Sequence, residues 1–301
     1  MVSHEHSRTK CLAPSKLQLP PGPWVTVLDG LCARFPAIPR DAWANRFERG
    51  KVQDASGQPL RADMAYQVGM EIRYYREVDN EPAIPFDESV LHMDAHLLVI
   101  DKPHFLPVTP AGRYIRETLL ARLVDKFENR NIVPLHRIDR ETAGLVMFSI
   151  NSETRDAYQA LFRHRNISKH YEALATPLPD ITFPLVYRSR MEKGEPFFRM
   201  KEVSGEPNSE THIDVVERGR DRWRYALSPV TGRKHQLRVH MSQLGAPIEN
   251  DFTYPNLMGV PNEDFTRPLR LLAKRLEFID PVTGQGRVFE SRLRLPDFDE
   301  S

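Results

Sequence analysis

Residues His136 to Ile150 read HRIDRETAGLVMFSI. The second half, Gly144–Ile150, is an apolar run of strand length. Asn151 and Ser152 after it offer an N-cap for a helix carrying Ala157, Tyr158, Leu161 and Phe162 on one side. The first half is a short polar loop with Asp139 between Arg137 and Arg140. Arginines this close favour the ionised carboxylate and keep it available as a nucleophile or base near neutral pH. A structural ion-pair loop would carry the same residues, and the pair alone does not choose between the two.

Working outward, Leu97–Ile100 has the make-up of a buried central strand ending at Lys102-Pro103, and Tyr114–Phe127 has helical amphipathicity. Strand character returns at Ile167–Ala175, Thr211–Glu217, Trp223–Leu227, Leu269–Ile279 and Arg287–Leu293. Many strands with few helices predict an α+β domain over 89–301, with a mixed, mainly antiparallel sheet. Before it, 24–78 reads as a small α+β module with helices near Val25–Phe35 and Asp41–Arg49 and short extended runs at Lys51–Gln53 and Met70–Arg76. Residues 79–88 read as an acidic, Pro-containing linker, and 1–23 as a flexible, Pro-rich lead-in without the apolar stretch of a secretory signal.

The chain has 301 residues, 40% apolar and 28% charged, with no run that could span a membrane as a helix. Cys11 and Cys32 are too few for a disulfide framework or a zinc cluster, which fits a reduced, cytoplasmic setting. The formal net charge of +1 gives no support to a nucleic-acid partner. Distribution says more. Basic residues gather at Arg163, His164, Arg165, Lys169 and His170, and again between Glu217 and His240, although such clusters are often solvated faces.

Two further segments carry candidate chemistry. In Thr231–His240, TGRKHQLRVH, Gly232 is expected to open a helix burying Leu237, Met241 and Leu244, with Arg238 and His235 on adjacent faces. Arg238 could there pair with a recessed carboxylate; an amphipathic helix with a basic solvent face is the competing reading. His235 and His240, five residues apart with no cysteine or paired acid, argue against a metal site. In Lys169–Ala173, KHYEA, Lys169 and Tyr171 share a strand face, so Tyr171 could project its ring beside Asp139 or simply pack.

Taken together, these segments resemble the RluA-type family of pseudouridine synthases. HRIDRETAGLVMFS is similar to the signature HRLDRxTSGLxxxA, SKHYEAL to the segment KxYxAL, and TGRKHQLRVHMSQLGAPIENDFTY to TGRxHQIRxHxxxxGxPIxGDxxY. LLVIDKPHFLPV and LRLLAKRLEFIDPVTG resemble the opening and closing strands. The resemblance implies isomerisation of uridine in structured RNA, ribosomal first and transfer RNA second, without metal or redox cofactor; a monomer is the default expectation. It makes Asp139 the essential aspartate, Tyr171 the tyrosine that stacks on the target base, and Arg238 the partner of the aspartate. Arg137 becomes the loop arginine that helps extrude the nucleotide, with Arg140, Lys169, Arg233, His235 and Gln236 as further RNA contacts. The leading module resembles a small RNA-binding domain named after a ribosomal small-subunit protein. Departures are Ala143 for a common Ser, Asn250 for a usual Gly, Leu272 at a position often His, and Asp280 for a usual His.

Overall fold

The computed structural model describes residues 14–78, 80–258 and 264–298. The chain divides into two compact units at Asn80/Glu81. Cys11 lies outside the described residues, and Cys32 is a free thiol. Among the described residues no helix is long and apolar enough to cross a membrane.

The first unit holds strand β1 (Ser15–Gln18), helices α1 (Val27–Arg34) and α2 (Arg40–Glu48), and strands β2 (Val52–Asp54) and β3 (Glu71–Tyr74). The sheet order is β1-β3-β2, all antiparallel. Thr26 and Asp29 form a reciprocal capping box that fixes the start of α1. Val27, Leu31, Trp43, Val52 and Ile72 make the core. The expected flexible lead-in is corrected at its end: Ser15–Gln18 alternates inward and outward, and Leu17 pairs with Ile72. The expected linker is corrected too. Glu81 belongs to the second unit, where its carboxylate accepts the N–H groups of Ile115, Arg116 and Glu117 at 2.6–2.9 Å.

That contact explains a shifted boundary. With the N–H groups of residues 115–117 held by Glu81, helix α3 begins only at Leu119 and runs to Phe127, capped by Thr118, instead of starting at Tyr114. Its neighbours are β4 (Ser89–Met93), β5 (Leu97–Lys102), β6 (Val133–Pro134), β7 (Ala143–Ser149), α4 (Arg155–Arg163) and β8 (Ile167–Ala175). The chain continues through β9 (Leu185–Lys193), β10 (Met200–Val203), β11 (Ser209–Arg218), β12 (Trp223–Pro229), α5 (Gln236–Gln243), β13 (Leu271–Ile279) and β14 (Gly286–Glu290). The order β10-β9-β11-β12-β8-β13-β7-β5-β4, with β14 on β13 and β6 on β7, forms one sheet. This is the expected α+β class with a mixed, mainly antiparallel sheet.

The single parallel junction in that order, β13 against β7, is where the sheet is most demanding. Gly144 pairs with Ala273 there at φ +105°, and a methyl group on it would sit 2.3 Å from the Ala273 carbonyl oxygen. Only glycine fits. The junction sets the Asp139 loop, which feeds β7, beside β8, which follows β13 in the sheet. Gly144→Ala is therefore expected to destabilise the protein by about 3 kcal/mol or more in urea unfolding. A loss below about 1 kcal/mol would show that the junction relaxes easily.

Candidate active site

The loop 136–142 is clamped from several sides. Lys102, fully buried at the end of β5, donates to the carbonyls of Pro103, Leu106 and Arg140 at 2.9, 2.8 and 3.2 Å. Arg140 donates to the Phe105 carbonyl at 3.1 Å and lies over the Tyr114 ring. His104 meets the Glu141 carbonyl, and Thr142 N–H closes a turn on the Asp139 carbonyl. His136 stacks on Phe162, and its Nε2 accepts the Met147 N–H. Burial, and then the charge of Lys169, push His136 down to about 3, so it stays neutral. A loop tied this way holds the Asp139 side chain still.

Asp139 faces α5. Arg238 Nη1 donates to its Oδ2 at 3.1 Å, while Nε and Nη2 of the same guanidinium grip both oxygens of Asp251 at 2.8 Å. Arg238 is 3% exposed. Asp251 is itself anchored by the N–H groups of Thr253 and Tyr254. Such a fork-to-carboxylate contact sets the plane of the arginine, leaving Nη1 aimed at Asp139. Burial alone would raise the pKa of Asp139; His235 and the guanidinium of Arg238 beside it outweigh that and hold it below its ordinary 3.8. One guanidinium facing Asp139, Asp251 and, at 3.8 Å, Glu141 leaves a surplus negative charge, and Asp139 is the acid that opens on the cavity.

That cavity has a volume of about 870 Å³ and lies wholly within the second unit. Tyr171 of β8 lines it, as do Arg137, Arg140, Lys169, Arg233, His235 and Gln236. Burial, then the charge of Asp139, push the Tyr171 phenol well above its usual value. It therefore offers an aromatic face and a protonated hydroxyl at neutral pH. Asp139, Tyr171 and Arg238 are thus brought together as the sequence suggested.

The expected RNA contacts separate on inspection. Arg137 is exposed, with one long contact to Thr109 Oγ1 at 3.4 Å. Lys169 donates to the Thr231 carbonyl, and burial followed by the charge of Arg165 lowers it to about 8. Arg233 donates to the Asn208 carbonyl. Gln236 is a correction: it is 4% exposed, and its amide is occupied by Thr231, the Arg233 N–H, the Glu210 carbonyl and Thr211. Two of those bonds brace residues 231–236, and the left-handed His235 just before α5 sets its start at Gln236 and not at Gly232. His235 is a second correction, since its ring is directed at Asp139 and Tyr254. Of the first basic cluster, Arg165 joins the cavity wall, whereas Arg163 pairs with Asp156.

Sequence reasoning missed Lys102 and Asp251. A lone lysine closing an otherwise apolar strand was the available signal for the first. The second stood unremarked beside Asn250, whose φ of +62° explains the glycine usual there.

Comparison with known proteins agrees with this geometry. A family profile described as RNA pseudouridylate synthase matches residues 96–243. The chain is 30% identical over 221 residues to the dual-specificity RNA pseudouridine synthase RluA of Haemophilus influenzae, covering 71% of this chain and 96% of that protein. It is 29% identical over 287 residues to the ribosomal large subunit pseudouridine synthase D of Pseudomonas aeruginosa, covering 88% of each. Human RNA pseudouridylate synthase domain containing 4 superposes with a TM-score of 0.54 at 26% identity, over 69% of this chain and 89% of that one. The protein is an RNA pseudouridine synthase, and it belongs to the RluA-type family of these enzymes.

If Asp251 sets the arginine, Asp251→Ala should cost about 3 kcal/mol or more in urea unfolding, because a buried guanidinium loses its main partner. A change under about 1 kcal/mol would contradict the brace.

Proposed function

We propose that the protein isomerises specific uridines in structured ribosomal RNA, with the Asp139 carboxylate as the reactive group. The contact between Arg238 and Asp139 carries this reading, because it keeps one carboxylate ionised and motionless in a cavity sized for a nucleotide. The reaction breaks the bond from C1′ to N1, turns the uracil, and joins C1′ to C5. The C5 proton leaves and N1 gains one, so composition and oxidation state are unchanged and no redox cofactor is needed. Asp139 can serve by adding to the sugar, by adding to the base, or by removing a sugar proton. Each route needs the ionised form that Arg238 supports.

Tyr171 offers its ring to the displaced uracil. Arg137, exposed at the cavity mouth, can fill the gap left in the stack when the nucleotide swings out. Among the described residues no carboxylate pairs with Arg137, Arg165 or Lys234, all of which line the cavity. These three are the cations available to phosphates, and Lys169 and Arg233 frame them. The ribosomal choice draws on the Pseudomonas relative, whose name gives that substrate and whose match extends over 88% of both chains. The Haemophilus relative matches less of this chain and carries a dual-specificity name.

Asp139→Asn should abolish tritium release from ribosomal RNA labelled at uridine C5, while circular dichroism and RNA affinity stay as in the wild type. Retained turnover would remove Asp139 from the chemistry. Release from transfer RNA but not ribosomal RNA by the wild type would correct the substrate.

A further inference from the structure

The two oxygens of Asp139 are addressed from different sides. Oδ2 takes the bond from Arg238, whereas Oδ1 faces His235 Nε2 at 3.9 Å. His235 precedes α5 in the left-handed conformation, φ +55° and ψ +18°, and its side chain is mostly buried. Its Nδ1 lies 2.9 Å from the Tyr254 hydroxyl, with the rings edge to face. That hydroxyl already accepts the Met200 N–H at 2.8 Å. With its own hydrogen given to Nδ1, the imidazole hydrogen lies on Nε2, on the side of Asp139. Tyr254 is in turn tied through its backbone N–H to Asp251, the carboxylate that orients Arg238.

We propose that His235, keyed by Tyr254, is a positioning residue whose Nε2–H closes onto Asp139 Oδ1 when the target nucleotide fills the cavity. Two donors on one base, Asp251, would then fix the carboxylate about both oxygens, and the 3.9 Å gap is the part that tightens with substrate. The inference rests on the proposed reaction and adds a residue to it; His235 acts on the carboxylate and not on the RNA.

Side-chain geometry supplies the test. In a glutamine the amide nitrogen falls where Nε2 of histidine lies; in an asparagine it falls where Nδ1 lies. Asparagine also suits the left-handed backbone well, so His235→Asn should fold at least as stably as the wild type. In single-turnover tritium release, His235→Asn and His235→Leu are expected to lose about 10- to 100-fold in rate, with RNA affinity within about twofold. His235→Gln should stay within about threefold of the wild type, and Tyr254→Phe should fall between. Equal rates for the Asn and Gln variants, or a loss confined to RNA affinity, would overturn the proposal. A wild type that releases no tritium would refute the reaction itself, whereas an active wild type with no split between the variants would refute only the role of His235.

Discussion

A single buried guanidinium, Arg238, is shared between Asp251 and Asp139, and the rest of the catalytic unit serves to keep it there. Burying a charge costs several kcal/mol unless it is paired, and the Asp251 fork takes two of the five guanidinium hydrogens. A third, on Nη1, is aimed at the carboxylate that opens on the cavity. The arrangement separates two tasks. Asp251 holds the arginine, and Asp139, only partly neutralised, keeps the negative charge that chemistry on a uridine requires.

Holding two side chains 99 positions apart in sequence at hydrogen-bond distance falls to the sheet. The parallel junction of β7 and β13 is closed by a glycine that nothing larger can replace, and it sets the aspartate loop beside Tyr171. Lys102 then binds that loop to the end of β5 through three carbonyls. The left-handed residues His235 and Asn250 turn the chain on either side of α5, so that Arg238, Tyr254 and Asp251 face one another. Each device is local, and together they yield a carboxylate with little freedom to move.

Much of this was legible in the residues themselves. Apolar runs mark β5 and β7, strand character marks β8, and the resemblance of the motifs to the RluA-type family implies Asp139, Tyr171 and Arg238. The readings that failed did so for identifiable reasons. β9 and β10 lie at the sheet edge, where arginines and glutamates alternate with half-buried residues and hide the apolar signal. Gln236, expected to contact RNA, is instead taken up by Thr211 and the Glu210 carbonyl, which lie some 25 positions upstream in the chain. The start of α3 depended on Glu81, which composition assigned to a linker. For Gln236 and for α3 a contact remote in sequence decided the outcome.

The most direct measurement of the central claim is a carbon-13 titration of the Asp139 carboxyl, assigned by its absence in Asp139→Asn. With Arg238 in place the midpoint should lie below the ordinary 3.8, since the charges around Asp139 outweigh its burial. A midpoint at or above that value would mean that Arg238 does not hold the carboxylate ionised, and the account would fail at its base.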